Sequence, residues 1–416
     1  MPKTNSRRVA LAALRDWRTS EKFADAILAR FLSSSDFSAP DRAFVTELFY
    51  GILRHLSLLD FWIGSLRSQH LDHDARDLLR LGLYQLFLLD TPQHAAVYET
   101  VHLATARRRS LVNAVLRNAL RSKAELLEKA NAQDLSIRTS HSPFLIDRWT
   151  KNFGAEKAAA LCEWNNRPPP IYGRVNRLKI SVDDFLAGHP DAERLSQSEN
   201  FVRLTNVPSD ALAAGHCYIQ DPSTAIACLL LNPKPGERVL DACAAPGGKT
   251  AYLAELMQNE GFVLACDCDE SRLLTSRDNL ERLGLNIAQF ARLDWSTAQD
   301  LPETAATPFD RILVDAPCSN TGVMRRRVDL RWRLTPKDFQ RMREEQLGIL
   351  RRVIPLLKPE GILVYSTCSI EPEENEAVVE TIMREFSFLT LLEEKSMLPF
   401  RDGFDGAYAA KLIRET

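Results

Sequence analysis

The chain has 416 residues and a mass of 47.0 kDa, a length that implies two to four domains. Its 45% hydrophobic and 26% charged residues are those of a globular protein and exclude a disordered or fibrous one. A net charge of -2 excludes a uniformly cationic nucleic-acid coat, yet residues 1–130 hold 19 Lys+Arg against 14 Asp+Glu, and the remainder 34 against 41. That asymmetry suits a partner-binding module joined to something else.

The chain opens with positive charge and an apolar run. Arg15 cuts that run short of a signal-peptide core, and no later stretch reaches the ~18 apolar residues of a membrane span. A cytoplasmic protein is expected. From Arg7 to Lys129 apolar residues recur three and four apart: Leu11, Leu14 and Trp17; Leu28, Phe31 and Leu32; Leu111, Val115 and Leu116. Ser34–Pro40 and Thr91–Gln93 read as turns. Residues 1–135 are therefore an all-α bundle.

The run Asn165–Pro170 breaks any helix, because proline lacks the amide donor. Strands at Ile171–Val175, Phe201–Leu204 and Cys217–Ile219, with a helix at Val182–Ala187, make a small α/β domain within residues 136–221. A helix from Pro222 leads into the last domain, 222–416.

There the alternation becomes regular. Strands begin at Arg238, Phe262, Ala288, Arg311 and Gly361, separated by helices at Lys249–Gln258, Ser271–Gly284 and around 337–357. Short apolar strands between amphipathic helices predict a parallel, doubly wound, Rossmann-like sheet, which binds ligands at the carboxyl ends of its strands. The segment 376–403 shows no recognisable motif.

The strand ends carry the chemistry. The first runs into Asp241-Ala-Cys-Ala-Ala-Pro-Gly-Gly-Lys-Thr250, where Gly247 and Gly248 let backbone approach a ligand. Gly248-Lys249-Thr250 would fit a phosphate-binding P-loop, but the first glycine that motif requires is Cys243. The alternative is a nucleoside cofactor site. Asp267 ends the second strand, where an acid accepts from ribose hydroxyls, and Asp294 ends the third, where it can face an adenine amino group. The fourth strand ends at Asp315 followed by Cys318, and the fifth at Cys368. If those strands are neighbours, both thiols open into one cleft. A helix starting at Pro372 would offer its amides to Cys368. Histidine cannot help, since the last one is His216. The residues alone leave open which thiol attacks. No Cys-x-x-Cys pair occurs among the eight cysteines, and no metal site is expected.

The stretches DACAAPGGKT, DAPCS-TG and STCS---EEN together resemble the RNA cytosine-5 methyltransferase family. The helical domain with RRRSLVNAVLR resembles NusB-like RNA-binding domains, and the combination is similar to bacterial 16S rRNA cytosine-5 methyltransferases. The resemblance implies S-adenosyl-L-methionine as methyl donor and 16S ribosomal RNA as partner, with an unpaired or flipped cytosine as target. It implies Cys368 as nucleophile and Cys318 as the residue that promotes release. The cofactor residues become Cys243, Ala244, Ala245, Pro246, Gly247, Gly248, Lys249, Asp267, Asp294 and Asp315. Asp315 is also the candidate proton donor to the cytosine ring. RNA contacts are expected from Arg107, Arg108 and Arg109, from Arg174, and from Arg325, Arg326, Arg327, Arg331 and Arg333. A P-loop NTPase and a non-catalytic RNA-binding or antitermination factor are the competing readings.

Overall fold

The computed structural model describes residues 5–89, 91–297 and 301–416. They form two compact units. The first runs up to Pro168 and includes Met324–Arg333; the second holds Pro169–Val323 and Leu334–Thr416. The boundary expected at 135/136 thus falls inside the first unit, and that at 221/222 inside the second.

The first unit is helical. Helix Ser6–Thr19 starts where the Asn5 side chain accepts the amide of Arg8, and buries Ala10, Leu11, Ala13 and Leu14 as one stripe. Helix His73–Phe87, capped by Asp72, is buried nearly all round and forms the centre of the bundle. Its polar groups are satisfied internally, with Arg80 paired to both Asp60 and Asp77. The short segment Met324–Arg333 belongs to this core: Val328 is fully buried among the helices.

The second unit contains two sheets. The smaller has strands β1 (Ile171–Val175), β2 (Glu193–Arg194), β3 (Phe201–Leu204) and β4 (Cys217–Ile219), all antiparallel, in the order β2-β3-β1-β4. The larger has β5 (Arg238–Asp241), β6 (Phe262–Asp267), β7 (Ala288–Arg292), β8 (Phe309–Asp315), β9 (Leu357–Thr367), β10 (Leu389–Met397) and β11 (Ala407–Arg414). Its order is β10-β11-β9-β8-β5-β6-β7. The strands from β5 to β9 are parallel, as the alternation predicts. The chain winds outward from β5 in both directions, so the crevice for a ligand lies above the ends of β5 and its neighbours.

Two features differ from the sequence reading. The segment 376–403 contains helix Glu376–Glu385 and strand β10, which pairs antiparallel with β11, and β11 pairs antiparallel with β9. The sheet is therefore mixed. Strand β10 reads LTLLEEKSM because it is an exposed edge, where charge blocks further pairing. The helix expected at Pro372 begins only at Glu376, because residues 372–375 form turns.

Candidate active site

The turn after β5 is built around glycine. Gly247 has φ 95°, and a Cβ there would lie 3.0 Å from the Cα of Ser276. A Cβ on Gly248, the first residue of helix Gly248–Leu256, would lie 2.9 Å from the Tyr218 ring. Two consecutive residues without side chains let the turn nest against its neighbours. The turn is closed by Ala244 N, which donates to Cys266 O at 2.8 Å, and by Ala245 N, which donates to Asp267 Oδ2 at 3.2 Å. Asp267, buried at the end of β6, also accepts from the amide of Asp269. Asp294 is half-buried just beyond β7, its carboxyl held below the usual range by the hydroxyl and amide of Ser296.

Four carboxylates therefore stand around this crevice: Asp241, Asp267, Asp294 and Asp315. Asp241 is fully buried; its Oδ2 accepts from Thr250, and burial pushes its carboxyl up to about 7. Lys249, the P-loop candidate cation, is committed to Asp315, with Nζ 2.6 Å from Oδ2. Burial alone would lower its pKa, but the Asp315 carboxylate outweighs this and holds it above the usual range. A crevice of acids whose lysine is already paired repels a triphosphate, so the geometry disfavours the NTPase reading. Acceptors at strand ends beside turn amides match a nucleoside with free hydroxyls.

Strands β8 and β9 are neighbours, with Asp315 opposite Ser366. This brings Cys318 and Cys368 together: their Sγ atoms are 3.3 Å apart, and both are free thiols. Cys318 is buried and Cys368 is half-buried. The hydrogen bond with Cys368 and then burial hold the Cys318 thiol well above its ordinary pKa. Asn320 bridges the two loops. Its Oδ1 accepts from Cys368 Sγ at 3.1 Å, and its Nδ2 donates to Cys318 O at 2.7 Å.

A buried carboxylate fixes the loops from beneath. Glu374 accepts the amide of Ser319 at 2.8 Å and the amide side chain of Gln346 at 3.1 Å on one oxygen, and Ser369 Oγ at 3.3 Å on the other. Asn375 accepts from Thr367 and donates to Ser369 O. Above them Gly322 N donates to Cys368 O at 3.0 Å, and Gly406 N to Gly322 O at 2.8 Å. Sequence reasoning quoted Asn320, Glu374 and Asn375 only as part of a signature, and passed over Gln346 and Gly406. The signal for Asn320, Glu374 and Asn375 was the polar run behind each cysteine; Gln346 and Gly406 lie far from both cysteines along the sequence.

The arginines divide. Arg107 and Arg109 are exposed at the start of helix Ala106–Arg121, while Arg108 is paired with Asp72 and Asp74. Arg174 is fully buried: it pairs with Glu255, lies 4.5 Å above the Tyr252 ring and donates to Gln220. It braces helix Gly248–Leu256 and has no surface to offer RNA. Arg331 is also fully buried, donating to the carbonyls of Val328, Arg54 and Asn165 and to Asn166 Oδ1. Arg325 is buried with its guanidinium 4.1 Å from the Trp164 ring centre. Arg333 is tied to Asp329 and to the carbonyls of Ser20 and Lys22. The expected phosphate contacts from Arg174, Arg325 and Arg331 are thereby corrected, because these guanidiniums are buried, and Arg333 is engaged by Asp329 and main-chain carbonyls. Arg327 is exposed and Arg326 half-buried.

A glycine turn after the first strand, acids on the following strand ends and a Rossmann-like sheet are the parts of a methyltransferase domain. Family models match over three stretches: 16S rRNA methyltransferase RsmB/F over residues 228–413, the NusB family over 4–121, and an RsmF/B-like ferredoxin-like domain over 141–204. The chain is 35% identical over 401 residues to the probable ribosomal RNA small subunit methyltransferase B of Bacillus subtilis, covering 92% of this chain and 89% of that protein. It is 38% identical over 408 residues to ribosomal RNA small subunit methyltransferase B of Shigella boydii, covering 91% and 92%. The crystal structure of PH0851 superposes with a TM-score of 0.78 at 26% identity, over 99% of this chain and 98% of the other. The chain belongs to the 16S rRNA methyltransferase RsmB/F family, and its fold is a NusB-type helical domain, a ferredoxin-like domain and a methyltransferase domain.

Proposed function

We propose that this protein transfers a methyl group from S-adenosyl-L-methionine to carbon 5 of a cytosine in 16S ribosomal RNA, through a covalent bond between Cys368 and carbon 6. The observation that carries the reading is the pair of thiols, 3.3 Å apart at the ends of two adjacent parallel strands. When bound, S-adenosyl-L-methionine supplies an electrophilic methyl. The turn Cys243–Gly248 with Lys249, Asp267, Asp294 and Asp315 would hold it; glycines that admit close approach and carboxylates at the strand ends fit its ribose and adenine.

Carbon 5 of cytosine is a poor nucleophile. The Cys368 thiolate adds to carbon 6 and turns carbon 5 into an enamine carbon, which accepts the methyl. A proton reaches ring nitrogen 3 from the Lys249 ammonium by way of the Asp315 carboxylate that it touches, and returns along the same path on release. The carbon-5 proton then passes to the Cys318 sulfur as the carbon–sulfur bond breaks. Cys318, held protonated beside Cys368, delivers its own proton to the departing sulfur. Glu374 and Asn375 keep the two loops in register.

The mapping of domains follows the chemistry: residues 1–135, through Arg107–Arg109, and the small sheet within 136–221 engage RNA, and 222–416 carry the transfer. The setting is cytoplasmic, where ribosomal RNA and reduced thiols coexist. Bisulfite sequencing of 16S rRNA with and without the protein tests the reaction. Cys368→Ala is expected to abolish methylation, and Cys318→Ala to accumulate a protein–RNA adduct on denaturing gels. An adduct formed by Cys368→Ala instead would reverse the roles.

A further inference from the structure

Helix Gln93–Leu103 carries His94, Tyr98 and His102, one turn apart, on its outer face. Their rings form a row. His94 and Tyr98 are near-parallel, with centroids 5.9 Å apart and planes at 9°, and Tyr98 and His102 follow at 4.9 Å. All three are exposed, Tyr98 by 51%, although a tyrosine in a core-facing stripe would be covered. The row forms one wall of a groove of about 390 Å³. Val97, Val101 and Leu120 line the floor, and Asn113 and Arg117 of helix Ala106–Arg121 line the opposite wall. That volume lies within the ~300–1,000 Å³ of ligand clefts. No carboxylate is among the described lining residues. Arg117 is exposed, with its Nε donating to Asn113 Oδ1 at 3.0 Å, which fixes its guanidinium along the wall.

We infer that this groove binds an unpaired stretch of the RNA substrate, with a base stacked on the Tyr98–His102 rings and a phosphate beside Arg117. Aromatic rings are the platforms on which unpaired bases stack without sequence preference, and an adjoining guanidinium neutralises the backbone. An apolar peptide would cover the floor but leave the ring row and the cation unmatched. A duplex offers no free base face. The exposed Arg107 and Arg109, at the other end of the same helix as Arg117, extend the cationic track. This inference rests on the reading of the substrate as ribosomal RNA, and assigns the contact to specific side chains.

The test uses the full chain and fluorescence anisotropy with a short unpaired RNA oligonucleotide and a matching hairpin, across a salt series. Tyr98→Ala is expected to weaken binding of the unpaired RNA about fivefold or more, to raise KM for 16S rRNA in step, and to leave the hairpin unaffected. Tyr98→Phe keeps the ring and is expected to bind as wild type does. Arg117→Gln is expected to lower the slope of log affinity against log salt by about 0.7. Thermal midpoints equal to wild type exclude a folding defect, which these exposed positions make avoidable. Wild-type affinity in Tyr98→Ala, or an unchanged salt slope in Arg117→Gln, overturns the inference. Failure of the functional reading is separate: a wild-type protein that binds unpaired RNA through Tyr98 but leaves 16S rRNA unmethylated overturns that reading and supports the groove.

Discussion

Replacing Gly322 by alanine should uncouple chemistry from fold. A Cβ at this position would lie 2.6 Å from the carbonyl oxygen of Cys368, 2.7 Å from Gly406 Cα and 2.8 Å from Gly406 O. All three are backbone atoms, which cannot rotate away. Ordinary contact begins near 3.4 Å, so the Cys368 carbonyl must retreat by about 0.8 Å. That movement is transmitted to a sulfur in the same residue and strains the bonds from Gly322 N to Cys368 O and from Gly406 N to Gly322 O. Overpacking of this kind costs about 1–3 kcal/mol, which a folded domain survives. A displacement near 1 Å at a reacting atom costs about 10²-fold in rate. Gly322→Ala is therefore expected to remain folded, to bind S-adenosyl-L-methionine, and to methylate about 10²-fold more slowly in single-turnover assays. Combined with Cys318→Ala, it should slow adduct formation to the same degree. Adduct formation at the rate of Cys318→Ala alone would refute the claim that Gly322 sets the Cys368 sulfur.

Arg331→Met removes a buried cation from five hydrogen-bonded oxygens and should destabilise the helical unit by about 3 kcal/mol or more, read as a fall in denaturant midpoint; the salt dependence of RNA binding should not change, because the side chain is buried. Glu374→Gln places an NH₂ or a single carbonyl where two N–H donors converge, and should cost about 1–3 kcal/mol and slow methylation, measured by chemical denaturation and turnover. Asp241 supplies a pH test. Its carboxyl rises from an ordinary 3.8 to about 7 in the fold, so between those values the folded state holds a proton that the unfolded chain has lost. Its contribution is fully present below about pH 4 and disappears as pH rises through 7, with a slope of up to about 1.4 kcal/mol per pH unit. Asp241→Asn keeps an acceptor for Thr250 and should flatten that window; equal pH slopes in the two proteins would count against a buried, protonated Asp241.

Much of this architecture was legible because local pattern and tertiary role agree. The strand Ile171–Val175 and the parallel strands from Arg238 onward are apolar runs punctuated by Gly, Pro and Asp, and their ends carry the acids and thiols. The convergence of Cys318 and Cys368 followed once β8 and β9 were neighbours. Strand β10 was hidden because an edge strand needs no apolar alternation, and three of its residues are Glu or Lys. The arginines of 325–333 misled for a different reason. Composition cannot tell a guanidinium in water from one that satisfies carbonyls at a helix junction, and among the described residues Arg331 has no carboxylate partner to betray its burial. Arg174 likewise finds Glu255 only through the packing of the small sheet against helix Gly248–Leu256. Glu374 is the converse case. Its burial appears only when two loops close over it.

The excursion Met324–Arg333 has a temporal meaning. Most of the helical unit is synthesised first, but its last core residues, Val328 and Arg331 among them, follow only after the 155 residues Pro169–Val323 have been made. At ~5–20 residues per second the bundle waits on the order of ten seconds for them. Until then the carbonyls of Arg54 and Asn165 face an empty slot. The nascent bundle is thus an open receptacle, completed by a peptide that arrives from the middle of the catalytic domain. Cutting the gene at 168 would yield an N-terminal fragment lacking its keystone and a C-terminal fragment carrying a loose decapeptide. Mixing the two fragments would restore the bundle only by passing that peptide back in trans.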